Sequence, residues 1–334
     1  MSDLPRVYLT RRLPQPAMDL LAQHVQLTTW PGELPPPRPV LAKEIAGIDG
    51  LLTLPSDRVD RALIEAAPHL RVISNYAVGC DNIDVEAATR RGVLVTNTPD
   101  VLTETAADFT LALILAAARR TGEAEQYVKS GRWRASGPEL LLGRDVYGAT
   151  LGIVGLGRVG QAVARRARGF GMRILYTGPR RNPAAEQASG ASFAPLEQLL
   201  AESDVVSLHC PLNDDTYHLI DRDTLALLRP DAILVNTARG QLIDMRALEA
   251  ALRARPIVAA LDATDPEPLP ADHPLLSLPN AIVTPHIASA SAQTRTRMGL
   301  MAAENLIAGL SGERPPFLVN AGLWEGRVIS VGGA

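Results

Sequence analysis

A chain of 334 residues exceeds what one hydrophobic core usually organises, so two domains are expected. Its 46% hydrophobic and 21% charged residues describe a globular protein rather than a disordered one. The 33 basic and 36 acidic side chains leave a formal net charge of -3 with no basic tract, which argues against a nucleic-acid partner.

The N-terminal MSDLPRVYLTRR lacks the basic-then-apolar pattern of a signal peptide. Short β-branched runs then alternate with helix-period stretches: RVYLT, VQLTTW, GLLTL, RVISN and VLVTN read as strands, with helices at 17–24 and 61–67 between them. GELPPPRP reads as a surface loop. TETAADFTLALILAAARR predicts a helix over 103–120, apolar around much of its circumference and fit for a domain junction or subunit interface. Its longest apolar run, 111–118, is too short for a bilayer, so a cytoplasmic protein with no membrane partner is expected. A second series follows: TLGIV, RILYT, DVVSL, AILVN, IVAAL and AIVTP, the strand count of a dinucleotide-binding sheet. TRTRMGLMAAENLIAGL closes the chain as a helix before an irregular tail. Cys80 and Cys210 are too few for a disulfide framework and read as small buried side chains in a reducing compartment. No metal site is expected.

TLGIV runs directly into GLGRVG and then a helical stretch, the context that makes Gly155, Gly157 and Gly160 a dinucleotide fingerprint. Gly155 makes the tight turn, Gly157 admits the pyrophosphate, and Gly160 lets helix and strand pack closely. Leu156, Arg158 and Val159 complete the cradle, with the phosphates on the helix N-terminus. An NAD site carries an acidic residue about 20 residues on, at the end of the second strand. Here LYTGPRRNP has none between Arg173 and Ala185, and Gly178, Arg180 and Arg181 stand there instead. Arginines suit a 2′-phosphate, so NADP(H) is preferred and NAD(H) remains possible.

Polar residues just past strand ends are the natural place for chemistry in parallel sheets. Arg239 follows AILVNTA, Glu267 follows IVAALDA, and His286 follows AIVTP. Reducing a keto acid calls for a cation to hold carboxylate and carbonyl, which suits Arg, and for a proton donor, which suits a His kept charged by a carboxylate. His209, in SLHCPL, is the rival histidine, while His24, His69, His218 and His273 read as structural.

The order and spacing of GLGRVG, NTARGQLID, LDATDPEPLP and TPHIASAS resemble the D-isomer-specific 2-hydroxyacid dehydrogenase family across nearly the whole chain. The resemblance implies two Rossmann-like/flavodoxin-like α/β domains with parallel sheets and an interdomain active-site cleft. The substrate domain would comprise residues 1–101 with 285–334, and the nucleotide domain residues 102–284. It implies a catalytic set of Arg239, His286 and Glu267, the last five residues after Asp262. Backbone amides of Val78 and Gly79, in NYAVGCDNID, would hold the substrate carboxylate, with Leu54 and Pro55 facing the same cleft. Thr105 would contact the nicotinamide end, Pro211 would wall the adenine side, and Thr237, Ala238, Asp262 and Ala288 would complete the cofactor contacts.

Within the family, YTGPRRNP and DPEPLPADHPLLSLPNAIVTPHI are most similar to glyoxylate/hydroxypyruvate reductases, many of which prefer NADPH, and a homodimer is implied. Leu140, Leu141 and Leu142 replace the aromatic residues often found there, leaving the substrate side chain open, and LRARPIVAALD runs a residue short. The absence of an appended regulatory domain speaks against a phosphoglycerate dehydrogenase. The alternatives are a 2-ketogluconate, phosphite or formate type of dehydrogenase, or a nucleotide-sensing binding protein without activity.

Overall fold

Strands whose residues are buried along their whole length need cover on both faces, which only helix-flanked parallel sheets provide. The computed structural model, which describes residues 4–325, contains two such sheets, each entirely parallel. Contacts divide the chain into a first unit, up to Leu102 and again from Ser291, and a second from Thr103 to Ala290.

The first unit contains β1 (Arg6–Leu9), β2 (Gln26–Thr29), β3 (Gly50–Thr53), β4 (Val72–Asn75) and β5 (Leu94–Thr96) in the order β2-β1-β3-β4-β5. This is the flavodoxin-like order, with its switch point between β1 and β3. Alternate strand residues feed opposite cores. Tyr8, Leu51, Ile73 and Val95 pack with α2 (Arg38–Ile45), α3 (Arg61–Glu65) and α4 (Val85–Arg90). Val7, Leu9, Leu52, Val72 and Leu94 pack with α1 (Gln15–His24) and the Ala292–Leu310 helix. Asp60 and Asp84 start α3 and α4 by accepting backbone N–H groups of the first turn, and Ser291 does the same for the last helix.

The second unit opens with α5 (Thr103–Ala118) and α6 (Thr121–Lys129). Then follow β6 (Thr150–Val154), α7 (Arg158–Ala167), β7 (Arg173–Thr177), α8 (Pro183–Ser189), β8 (Ser192–Phe193), α9 (Leu196–Glu202) and β9 (Val205–Leu208). The rest is α10 (Arg222–Leu227), β10 (Ile233–Asn236), α11 (Met245–Ala254), β11 (Val258–Leu261) and β12 (Ala281–Val283). The order β12-β11-β10-β9-β6-β7-β8 is the Rossmann arrangement extended by one strand, and its switch point lies between β6 and β9.

Four details differ from expectation. The sheet gains β8, a two-residue edge strand too short and too exposed to leave a periodic signature. The 103–120 helix stops at Ala118, because Arg120 turns left-handed at φ 52° and starts α6. α5 owes its apolar circumference to the interior of its own unit, packed against α7, β10 and β11. Residues 285–290, expected with the first domain, group with the second unit because Ile287 and Ala288 bond back to Asp262. Cys80 and Cys210 form no disulfide and are half-buried. Among the described residues no helix is long and apolar enough to cross a membrane.

Ile114, on α5, is wholly buried in the second unit's core. Ile114→Ala should lower that unit's stability in urea unfolding by about 2–5 kcal/mol, the usual cost of a cavity of that size.

Candidate active site

At the switch point of the second unit, β6 ends in Val154 and the chain turns through Gly155 at φ 96°. A side chain there would be strained and would strike the Cys210 backbone, so the turn demands glycine. Beside Gly157 a Cβ would meet nothing, which leaves room against the backbone at the N-terminus of α7. These residues border a cavity of about 470 Å³, lined also by Leu156, Gly178, Arg180 and Pro211. The positive end of a helix beside an open glycine fits a diphosphate. Val159 packs its side chain into the core, which leaves its backbone N–H for a ligand. Sequence reasoning missed the turn that closes the cavity, where Asn213 accepts from the N–H groups of Asp215 and Thr216. Its signal was the Asn-Asp-Asp-Thr run, a turn-forming combination.

The two arginines are not equivalent. Arg180 lines the cavity, whereas Arg181 makes a paired contact with Glu186 at 2.8 and 2.9 Å. Glu186 also accepts from the Tyr176 hydroxyl at 2.7 Å, and that hydroxyl accepts from Asn182 N–H at 2.8 Å. Hydrogen bonds from Arg181, then from Tyr176, hold the Glu186 carboxyl below its ordinary range. Of the two arginines read as suited to a 2′-phosphate, Arg181 is thus paired with a carboxylate on α8.

Three neighbouring strands, β10, β11 and β12, deliver Arg239, Glu267 and His286 to one edge of the sheet. The Arg239 and Glu267 loops approach so closely that a Cβ on Gly240 would overlap the Thr264 carbonyl. His286 Nδ1 lies 2.7 Å from Glu267 Oε1. Its backbone is left-handed at φ 53°, a conformation that needs external support in a non-glycine residue. Asp262 supplies it. Buried and 2% exposed, its carboxylate accepts from Thr284 Oγ1 at 2.6 Å, Ile287 N–H at 2.9 Å and Ala288 N–H at 2.7 Å. Asp262 and Ala288 bond to each other, and this contact shapes the His286 loop. On the neighbouring loop, Ala238 N–H donates to Asn236 Oδ1, and Arg239 donates from Nη1 to the Ala238 carbonyl. Thr237 Oγ1 lies 3.0 Å from Thr110 Oγ1 on α5, and Thr105 lies in the first turn of that helix.

In the first unit, Leu54 follows β3 while Val78 and Gly79 follow β4. The carbonyls of Val78 and Gly79 accept from Asn97 and Asn75, both at 2.7 Å. Their N–H groups donate to no acceptor among the described residues, so two successive amides stay available to an anion.

His209, the rival histidine, borders the nucleotide cavity with Nε2 2.8 Å from Ser207 Oγ. Burial pushes its pKa down to about 4, so it is neutral at physiological pH and has no proton to give. Burial likewise pushes the Cys210 thiol up to about 11, which makes it unreactive. No cluster of metal-ligating side chains exists among the described residues.

A Rossmann sheet with a glycine cradle, beside a histidine–carboxylate pair at adjacent strand ends, defines a nicotinamide-dependent dehydrogenase. The family described as D-isomer specific 2-hydroxyacid dehydrogenase, NAD binding domain, matches residues 111–288. A glyoxylate reductase of Korarchaeum cryptofilum is 52% identical over 318 residues, 95% of this chain and 96% of that protein. One from Thermococcus gammatolerans is 50% identical over 321 residues, again 95% and 96% of the two chains. The crystal structure of a Thermus thermophilus protein superposes with a TM-score of 0.88 at 49% identity, covering 94% of this chain and 99% of that one. An NADPH-dependent glyoxylate/hydroxypyruvate reductase of Sinorhizobium meliloti, solved with NADP and malonate, gives 0.84 at 31% identity over 95% and 97%. The chain belongs to the D-isomer-specific 2-hydroxyacid dehydrogenases. It is an enzyme that uses a nicotinamide cofactor in 2-hydroxyacid chemistry.

His209 also gives the fold a pH dependence. Its folded pKa of about 4 lies below the ordinary 6.5, so its contribution to stability is complete above pH 6.5 and is lost as pH falls toward 4. The loss amounts to on the order of 3 kcal/mol. Thermal unfolding followed between pH 7 and 4 should show a shallower decline in Tm for His209→Gln than for the unaltered chain.

Proposed function

We propose that the chain reduces small 2-keto acids, glyoxylate and hydroxypyruvate, to 2-hydroxy acids, with NADPH preferred and NADH accepted. The reading is carried by His286: its Nδ1 is engaged by Glu267, which leaves Nε2 as the proton donor. Arg239, on the adjacent strand end, is assigned to the substrate's carboxylate and carbonyl, where a planar guanidinium binds and polarises together. The N–H groups of Val78 and Gly79 take the carboxylate, and Leu54 contacts the rest of the small acid. The bound nicotinamide supplies the hydride. As negative charge develops on the carbonyl oxygen, Arg239 stabilises it and His286 protonates it, while Glu267 holds the imidazolium in place.

The names of the relatives, glyoxylate reductases about half identical to this chain, support the substrate. Arg180 on the cavity wall and the NADP-bound Sinorhizobium meliloti neighbour support the cofactor. Gly155 to Gly160 and Gly178 serve the dinucleotide, Pro211 its adenine side, and Thr105, Thr237 and Ala238 its nicotinamide end. Arg181, held by Glu186, contributes less than Arg180. Cysteines that form no disulfide agree with work in a reducing compartment such as the cytoplasm. A homodimer is supported by α6, which buries none of its own residues, and by the exposed apolar side chains of Val128, Trp133 and Leu142 on and after it.

Following NADPH absorbance with glyoxylate or hydroxypyruvate tests the reading. Rapid oxidation is expected, and His286→Ala or Arg239→Ala should lower kcat/KM by roughly a thousandfold or more without unfolding. Near-normal turnover in either variant overturns the assignment. Arg180→Ala should raise KM for NADPH about tenfold and leave NADH little changed, with a smaller effect from Arg181→Ala.

A further inference from the structure

The proposed carboxylate grip consists of backbone N–H groups, and backbone groups cannot be re-aimed by choosing a rotamer. Their direction is set by the peptide planes that carry them. In a planar trans peptide the C=O of one residue and the N–H of the next point in opposite directions. Whatever holds the carbonyl therefore aims the following amide.

The carbonyls of Ala77, Val78 and Gly79, in the loop after β4, each have such a holder. Thr98 N–H donates to the Ala77 carbonyl at 2.8 Å, which turns the Val78 N–H the other way. Asn97 Nδ2 donates to the Val78 carbonyl at 2.7 Å, which turns the Gly79 N–H the other way. Asn75 Nδ2 donates to the Gly79 carbonyl at 2.7 Å and fixes the next plane. Asn97 is itself anchored: its carbonyl accepts from Asn305 Nδ2 at 2.9 Å, and Asn305 is wholly buried. Asn305 Oδ1 in turn accepts from Phe317 N–H.

The network extends to the other proposed substrate loop. Asn82 Nδ2 donates to the Leu54 carbonyl at 3.0 Å and to the Asp57 carbonyl at 3.1 Å, while Asn82 Oδ1 accepts from Asn75 at 3.0 Å. Asp57, 3% exposed, accepts from Leu54 N–H at 2.8 Å and from the hydroxyls of Thr53 and Thr10. A chain of side-chain amides thus runs from the Gly79 carbonyl through Asn75 and Asn82 to the peptide of Leu54.

We propose that Asn97 is a positioning residue for substrate: by holding the Val78 carbonyl it aims the Gly79 N–H at the substrate carboxylate, while Asn75 and Asn82 brace that loop against Leu54. The inference rests on the reading of Val78 and Gly79 as the carboxylate grip. Losing the Asn97 amide leaves the Val78–Gly79 peptide free to rotate, and one of two charge-assisted hydrogen bonds to the anion goes with it. Binding of the keto acid suffers and binding of the nucleotide does not.

Asn97→Ala and Asn97→Asp test this, the second being equal in size but unable to donate. Steady-state kinetics should show KM for glyoxylate raised on the order of tenfold in both, with a smaller change in kcat and KM for NADPH within about twofold. A purely structural role would lower Tm and active fraction and leave both KM values alone. The crystal structure of Asn97→Ala supplies a readout that needs no activity, and the Val78–Gly79 peptide should be turned in it. An unchanged glyoxylate KM in variants of an active enzyme overturns the proposal, and so does an unturned peptide. If the unaltered chain reduces no 2-keto acid, the functional reading fails by itself and the peptide direction alone decides whether Asn97 aims Gly79.

Discussion

In each sheet every strand runs parallel, so every loop that leaves a strand's carboxyl end emerges at the same edge. This constraint organises the functional chemistry. In the second unit it sends the glycine turn after β6, the Arg239 loop after β10, the Glu267 loop after β11 and the His286 loop after β12 to one rim. In the first unit it does the same for Leu54 after β3 and Val78 after β4. Strand order then fixes which loops are neighbours. Because β12, β11 and β10 are consecutive in the sheet, a histidine and a carboxylate 19 residues apart in sequence come within hydrogen-bond distance.

Loops at a rim leave the ladder that satisfied their backbone groups, and each buried group then needs another partner. Two buried carboxylates do this work, one in each unit. Asp262 takes two consecutive amides and a threonine hydroxyl, and holds His286 at a positive φ that costs on the order of 1–3 kcal/mol unaided. Asp57 takes Leu54 N–H and two threonine hydroxyls at the end of β3. Hydrogen bonds to an ionised acceptor are each worth about 1.5–3 kcal/mol, enough to keep an otherwise strained loop in one shape. Each carboxylate fixes the backbone of its loop, and under the proposed function those loops carry His286 and Leu54.

The fold was legible in the sequence wherever a strand carries an aliphatic or β-branched run, because such runs broken by helical periods leave few other architectures. Eleven of the strands were visible in this way, and β8 was not, being two exposed residues whose pairing depends on Tyr176 being next door. The glycine turn was equally legible, since its motif follows a strand and opens a helix. Pairings that depend on three-dimensional approach were hidden. Nothing in the sequence said that Glu186, a turn into α8, reaches back to Arg181, or that Asn97 would hold a carbonyl 19 residues earlier. Asp262 was visible as the acidic residue ending a strand, but its three hydrogen bonds to the His286 loop were not.

The Arg181–Glu186 pair bears on how this site discriminates between cofactors. Two unpaired guanidinium groups would attract any phosphate and would gain little from the arrangement of one nucleotide over another. With Glu186 drawing off Arg181, the loop presents one cation on the cavity wall and keeps the second in a fixed pose, tied through Tyr176 to Asn182. The Glu186 carboxylate is engaged in an internal contact, with two bonds from Arg181 and one from Tyr176. Under the proposed NADPH preference, Arg180 is the cation offered to a 2′-phosphate, and selectivity becomes a property of loop geometry as much as of net charge. A glutamate so close to Arg180 is compatible with the proposed NADPH preference because its negative charge is already paired.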